Sequence, residues 1–246
     1  MLSWKVPVAT LGVPRIGRRR ELKFALEAYW SGRSSAEDLL DTARKLRAAN
    51  WTEQRRRGIA RIPSNDFSLY DHVLDTAVMV GAIPPAYGWT GGEVALDTYF
   101  AMARGSQGEA GTGCGHPGHG HGVAALEMTK WFDTNYHYMV PELAADQAFS
   151  LASTKPVDEF LEARALGIHT RPVILGPVTF LKLAKPRGAP FERMLLLPRL
   201  LPVYTELLAR LHAAGADWVQ IDEPCLVLDL EPAERLAVEL ACSRFS

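Results

Sequence analysis

The chain has 246 residues, 48% hydrophobic and 22% charged, a balance that fits a soluble globular chain with a sizeable core and one large domain as the default. A formal net charge of −1 excludes any global pull toward nucleic acid or an anionic membrane, so an anion site must arise from local clustering. Three widely spaced cysteines, Cys114, Cys225 and Cys242, argue against a disulfide framework; with no bilayer-length apolar run and no signal peptide core, the expected location is the cytoplasm.

In chain order, Val8 to Gly12 reads as a short buried strand and Val13 to Gly17 as a loop. A basic run follows. Arg15, Arg18, Arg19, Arg20 and Lys23 surround the start of a helix, Glu21 to Tyr29, whose Leu22, Leu26 and Tyr29 share a face and whose stop is Gly32. Cations at a helix N-terminus cost roughly a few tenths of a kcal/mol unless an anion offsets them. Arginine forks beside unpaired N–H groups suit carboxylate or phosphate, although a solvated basic face accounts for the same residues.

Ser34 and Glu37 have capping-box spacing and open a long helix through Leu39, Leu40, Ala43 and Leu46 toward Gly58. Further helices are predicted from about Tyr70 to Gly81, before Pro84 and Pro85, and from Glu93 to Ala103, closed by Gly105. Together they form a long helical excursion. From Gly105 to Gly122, eight of eighteen residues are glycine, which predicts a mobile loop. Cys114, His116, His119 and His121 within it are ligand types for zinc, copper or nickel. A glycine-rich loop offers little of the rigid support that catalytic metal ligands need, so no metal ligand is assigned there.

The segment Glu127 to Pro141 concentrates hydrogen-bonding and aromatic side chains between turn-rich flanks. Met128 to Phe132 reads as a short strand and Asp133, Thr134 and Asn135 as a turn, which would gather Lys130, Asp133, Asn135, Tyr136 and His137 into one small volume. An edge strand with an aromatic cluster fits equally well.

Beyond Pro141 the pattern is regular: a helix over Val157 to Leu166, a buried strand over Arg171 to Thr179 running into a loop, a helix over Leu195 to His212, a strand over Asp217 to Pro224 and a last helix from about Pro232. The alternation predicts an α/β fold, a partial (β/α)8 TIM barrel of about four parallel strands preceded by the helical excursion. The expected division is one domain over 1–246, with the strand, excursion and glycine-rich loop in 1–126 and repeating strand-helix units in 127–246. Asp222 and Glu223 fall at a strand's carboxyl end, where hydrogen bonding at the barrel mouth is the preferred reading. The open edge of such a barrel should expose apolar surface.

Four stretches carry a family resemblance: Leu11 to Gly17 with Arg19 to Lys23, Glu127 to Glu142, Leu175 to Thr179, and Val219 to Pro224. In this order they resemble the cobalamin-independent methionine synthase family, over nearly the whole chain. The resemblance implies the first part of the first of two (β/α) barrels in a methyltransferase of methionine biosynthesis, which moves a methyl group from 5-methyltetrahydrofolate polyglutamate to homocysteine. It places folate binding on Arg20, Glu21, Leu22, Lys23 and Lys130. Lys130 is expected on the next parallel strand so that its charge converges with Arg20 and Lys23, with Glu21 and Glu127 holding the cations when no ligand is bound.

The family's zinc and most of its homocysteine site belong to the second barrel, to which nothing here corresponds. The expectation is therefore a folate-tail-binding region with no catalytic residue or metal of its own, inactive alone and reaching homocysteine only through the missing domain. The histidine-rich loop departs from the family pattern and is not read as the zinc site. A non-catalytic polyglutamate-binding or regulatory module remains the alternative; a barrel hydrolase using Asp222 or Glu223 is the more distant one.

Overall fold

The computed structural model describes residues 6–107 and 122–245. The buried strand expected over Val8 to Gly12 is reduced to an isolated parallel bridge between Ala9 and Arg61, with Val8 54% exposed. Pro7 and Pro14 lack backbone donors, which limits any ladder here. Helix α1, Glu21–Trp30, buries Leu22 and Leu26 as its periodicity predicts. Helix α2, Ala36–Arg56, begins one residue later than the expected capping box: Ser35 Oγ accepts the Asp38 N–H at 3.1 Å, and Asp38 Oδ2 accepts the Ser35 N–H at 2.9 Å. That reciprocal pair satisfies two otherwise unpaired donors at the helix start.

The three-residue strand β1, Ile62–Ser64, was invisible in the sequence pattern because Pro63 sits at its centre. Helices α3, His72–Met79, and α4, Leu96–Arg104, follow, the second closed by Gly105 at φ 74°. Strands β2, Met128–Lys130, and β3, His137–Met139, pair antiparallel in register Met128 with Met139, Thr129 with Tyr138 and Lys130 with His137. This corrects the expectation that Lys130 lies on a parallel strand: the Asp133-to-Asn135 turn closes a local hairpin instead of feeding a crossover, which needs a dozen or so residues.

Strand β4, Glu142–Leu143, precedes helix α5, Lys155–Ala165, and the buried strand β5, Thr170–Leu175. Where a loop was predicted after β5, helix α6, Pro177–Leu183, starts at once, because proline at the first helical position has a preset φ and no donor to leave unpaired. Strand β6, Lys185–Pro186, pairs parallel with β4. Helix α7, Leu197–Ala213, strand β7, Gln220–Asp222, and helix α8, Pro232–Phe245, complete the elements. Strands β1, β5 and β7 form one sheet in that order, and β1 runs parallel to β5 with Ile62 opposite Thr170. The fold is α/β, with helices and parallel strands.

The chain divides into two compact units. The first holds residues 6–69, Lys155–Ile174 and Arg210–Gln220; the second holds the described residues of Tyr70–Thr154, Leu175–Ala209 and 221–245. In the first, Trp51, Ile62, Ala163 and Ile168 make a packed cluster, and the Trp51 indole donates to Pro63 O at 3.0 Å, so burial costs it no hydrogen bond. In the second, Tyr204 is fully buried and its hydroxyl donates to Leu175 O at 2.7 Å. Val227, Leu236 and Leu240 of the second unit are solvent-exposed.

Candidate functional site

The first group of predicted residues stands at the start of α1. Arg20 is its N-cap in a left-handed conformation, φ 65° and ψ 31°, with no side-chain cap. Its N–H donates to Gly17 O, and the Leu22 N–H donates to Ile16 O, each at 3.2 Å. Glu21 folds back so that its Oε2 accepts the Arg19 N–H at 2.9 Å. A β-carbon on Gly17, at φ 82°, would strike that carboxylate, so glycine is required there on two counts. Leu22 has no exposed surface and its N–H is taken by Ile16 O, so its place is in the core beneath the helix start.

The five cations divide by partner. Arg15 is tied to the Ser68 and Leu69 carbonyls at 2.9 and 3.0 Å. Lys23 lies 3.5 Å from Glu27 and Arg18 3.9 Å from Glu53, exposed contacts that contribute little. Arg19 and Arg20 are exposed and have no carboxylate partner among the described residues for their side chains. Two guanidinium groups therefore stand ready at a helix start.

Lys130 ends β2, exposed and likewise without a carboxylate partner among the described residues. Glu127, expected beside the cations, forms its ion pair with Lys185. The hairpin is fastened by Asp71, whose Oδ2 accepts the Met139 N–H at 3.1 Å while its Oδ1 accepts those of Val73 and Leu74 at 2.8 and 3.1 Å. The Trp131 ring meets His72 edge-on at 4.5 Å and Phe132 at 5.0 Å, and Tyr136 stacks over His72 at 6.0 Å. The aromatic-cluster reading of this segment thus holds together with an exposed lysine. Arg20 and Lys23 belong to the first compact unit and Lys130 to the second.

Asp222 and Glu223 act structurally. The Asp222 carbonyl accepts the Gly176 N–H at 2.7 Å, and the Glu223 carboxylate accepts the N–H groups of Val178 at 2.9 Å and Thr179 at 2.7 Å, capping α6. Burial pushes the Glu223 pKa up, against the pull of these donors. Its lone pairs are committed to backbone donors.

Two carboxyls escaped the sequence reading. Burial pushes Asp71 up to about 7 and Asp66 up to about 6, the latter helped by the neighbouring Glu159 charge. Asp71 had a legible signal, an aspartate immediately before an apolar-periodic helix. Asp66, two residues past a strand too short to recognise, had none.

Cys114, His116, His119 and His121 lie outside the described residues. Among those described, no group of three or more histidine, cysteine, aspartate or glutamate side chains could hold a metal ion, so they do not fit the family's zinc. Nor is any described helix long and apolar enough to cross a membrane.

Residues 7–246 match the family described as cobalamin-independent synthase, N-terminal domain. The chain belongs to this family. A protein of Mesorhizobium japonicum named 5-methyltetrahydropteroyltriglutamate--homocysteine methyltransferase is 70% identical over 244 residues, covering 97% of this chain and 31% of the relative. One of the same name from Caulobacter vibrioides is 68% identical over 241 residues, covering 96% and 31%, and one from Bradyrhizobium diazoefficiens is 61% identical over 247 residues, covering 100% and 32%. The chain spans about a third of the length of these curated relatives, and its residues 7–246 match the synthase N-terminal domain.

Proposed function

We propose that this synthase N-terminal domain binds the polyglutamate tail of 5-methyltetrahydropteroyltriglutamate, as its share of methyl transfer to homocysteine in methionine biosynthesis. The observation that carries the reading is Arg20, held left-handed at the start of α1 with an exposed guanidinium that no described carboxylate neutralises. A tail of linked glutamates presents several carboxylates, which suit guanidinium forks and a lysine ammonium. Arg20 and Lys23 supply one set of charges and Lys130 another; Glu21, bonded to the Arg19 N–H, and the buried Leu22 fix the first turn that presents them. The names of the relatives support the choice of substrate.

The parallel pairing of β1 with β5, with Gly176 and Glu223 at strand ends, suits part of a (β/α)8 barrel. Tail binding is the part proposed for this chain; no zinc ligand set is present among the described residues. Thiolate formation from homocysteine is the chemistry that the family's zinc supplies.

The test is calorimetric titration of the chain with 5-methyltetrahydropteroyl triglutamate and monoglutamate, in wild type, Arg20→Ala and Lys130→Ala. The triglutamate should bind more tightly and weaken with salt, and each variant should lose more for the triglutamate than for the monoglutamate. Equal affinities for the two ligands in the wild type would remove the tail reading.

A further inference from the structure

We propose that Asp66 is a positioning residue for the tail-binding arginines: from the carboxyl end of β1 it fixes the Gly12-to-Arg20 loop that presents Arg20 and Lys23. The inference rests on the tail-binding reading and adds to it a residue outside the motif.

The strand end is built to hold Asp66 still. Asn65 turns the chain left-handed at φ 62°; its N–H donates to Glu159 Oε2 at 3.1 Å and its side-chain amide to Val173 O at 2.8 Å. Lys155 Nζ bridges Asn65 Oδ1 and Phe67 O, each at 2.7 Å, and meets Glu159 at 3.1 Å. Holding a non-glycine residue in this conformation takes support from its surroundings, and here three groups, Glu159, the Val173 carbonyl and Lys155, bond to Asn65.

From that base the Asp66 carboxylate accepts the N–H of Val13 and packs on the α-carbon of Gly12, where a β-carbon would collide with Oδ2. Two residues on, Arg15 reaches back to the carbonyls of Ser68 and Leu69. The loop is thereby clamped to residues 66–69 at two points before it turns through Gly17 into Arg20. A flexible loop would have to be ordered at each binding event, and pre-ordering it removes that entropic cost.

The test combines Asp66→Ala and Asp66→Asn in the full 246-residue chain. Amide hydrogen exchange at Val13 and at residues 16–22 should rise in Asp66→Ala. Affinity for a γ-linked triglutamate peptide should fall about tenfold in Asp66→Ala and about two- to threefold in Asp66→Asn, whose side-chain oxygen still accepts the Val13 N–H. In an Arg20→Ala/Lys23→Ala background, Asp66→Ala should cause no further loss of binding, since a residue acting through those two cations has no effect once both are gone. A merely structural role would instead add its loss to that of the double variant. Unchanged exchange in both variants, or unchanged affinity while the wild type binds, overturns the proposal; Asp66→Asn decides if Asp66→Ala does not fold. Failure of the wild type to bind the peptide removes the tail reading, and the exchange data then rule on the loop alone.

Discussion

Asp71 Oδ2 accepts the backbone N–H of Met139 at 3.1 Å, a hydrogen bond across 68 residues of sequence that joins the cap of α3 to the hairpin bearing Lys130. One side chain therefore fixes a helix start and a strand. Asp71→Ala orphans three buried N–H groups, and a loss of about 2–4 kcal/mol is expected from the missing cap and the unsatisfied donors. Urea unfolding of the variant against wild type measures it.

The same carboxyl sets a pH dependence. Burial raises Asp71 from an ordinary 3.8 to about 7 and Asp66 from 3.8 to about 6. Between about pH 4 and 7 the folded chain thus holds protons that the unfolded chain has released, and stability falls as pH rises through that window. Exposed carboxylates with lowered pKa, such as Glu53 at about 2, act oppositely, but only as pH falls below the ordinary carboxylate range. The melting temperature should be higher at pH 5 than at pH 8, and the difference should shrink in Asp71→Asn, whose side chain does not titrate.

Gly176→Ala tests the Glu223 cap. The backbone at Gly176 has an ordinary φ of −72°, so alanine is refused only because its β-carbon would collide with the Glu223 carboxylate. Overpacking of this kind costs about 1–3 kcal/mol. Combined with Glu223→Ala, the glycine substitution should cost less than it does alone, since the group it strikes is gone. Chemical denaturation of the two single variants and the double variant gives the coupling.

Arg20→Gly should separate stability from binding. Glycine relieves the left-handed strain at φ 65° and should raise stability by roughly 0.5–1 kcal/mol after its own entropic cost. Triglutamate affinity should fall at the same time because the guanidinium is lost. A variant that is less stable yet binds as tightly as wild type would contradict both parts.

Helices α1 to α5, α7 and α8 were legible from apolar spacing and, for most, from their glycine stops, because a helix satisfies its backbone locally and its pattern repeats over many residues; the short α6 was not. The motif residues Arg20 to Lys23 and Lys130 were legible too, each set lying within a short contiguous stretch. The sequence by itself thus determined the α/β character, the family and the exposed cations at the start of α1 and at Lys130.

Pairing was decided elsewhere. The Asp133-to-Asn135 turn was legible, but the extended run before it did not by itself give the antiparallel pairing of Met128 with Met139 and Lys130 with His137. Strand β1 carries a proline at the centre of three residues and becomes a strand only against Thr170, Arg171 and Pro172, more than a hundred residues away. The tasks of Asp66, Asp71 and Glu223 likewise follow from which backbone N–H groups the tertiary structure brings to them. A buried carboxyl is committed by long-range neighbours, and those exist only once the chain has folded.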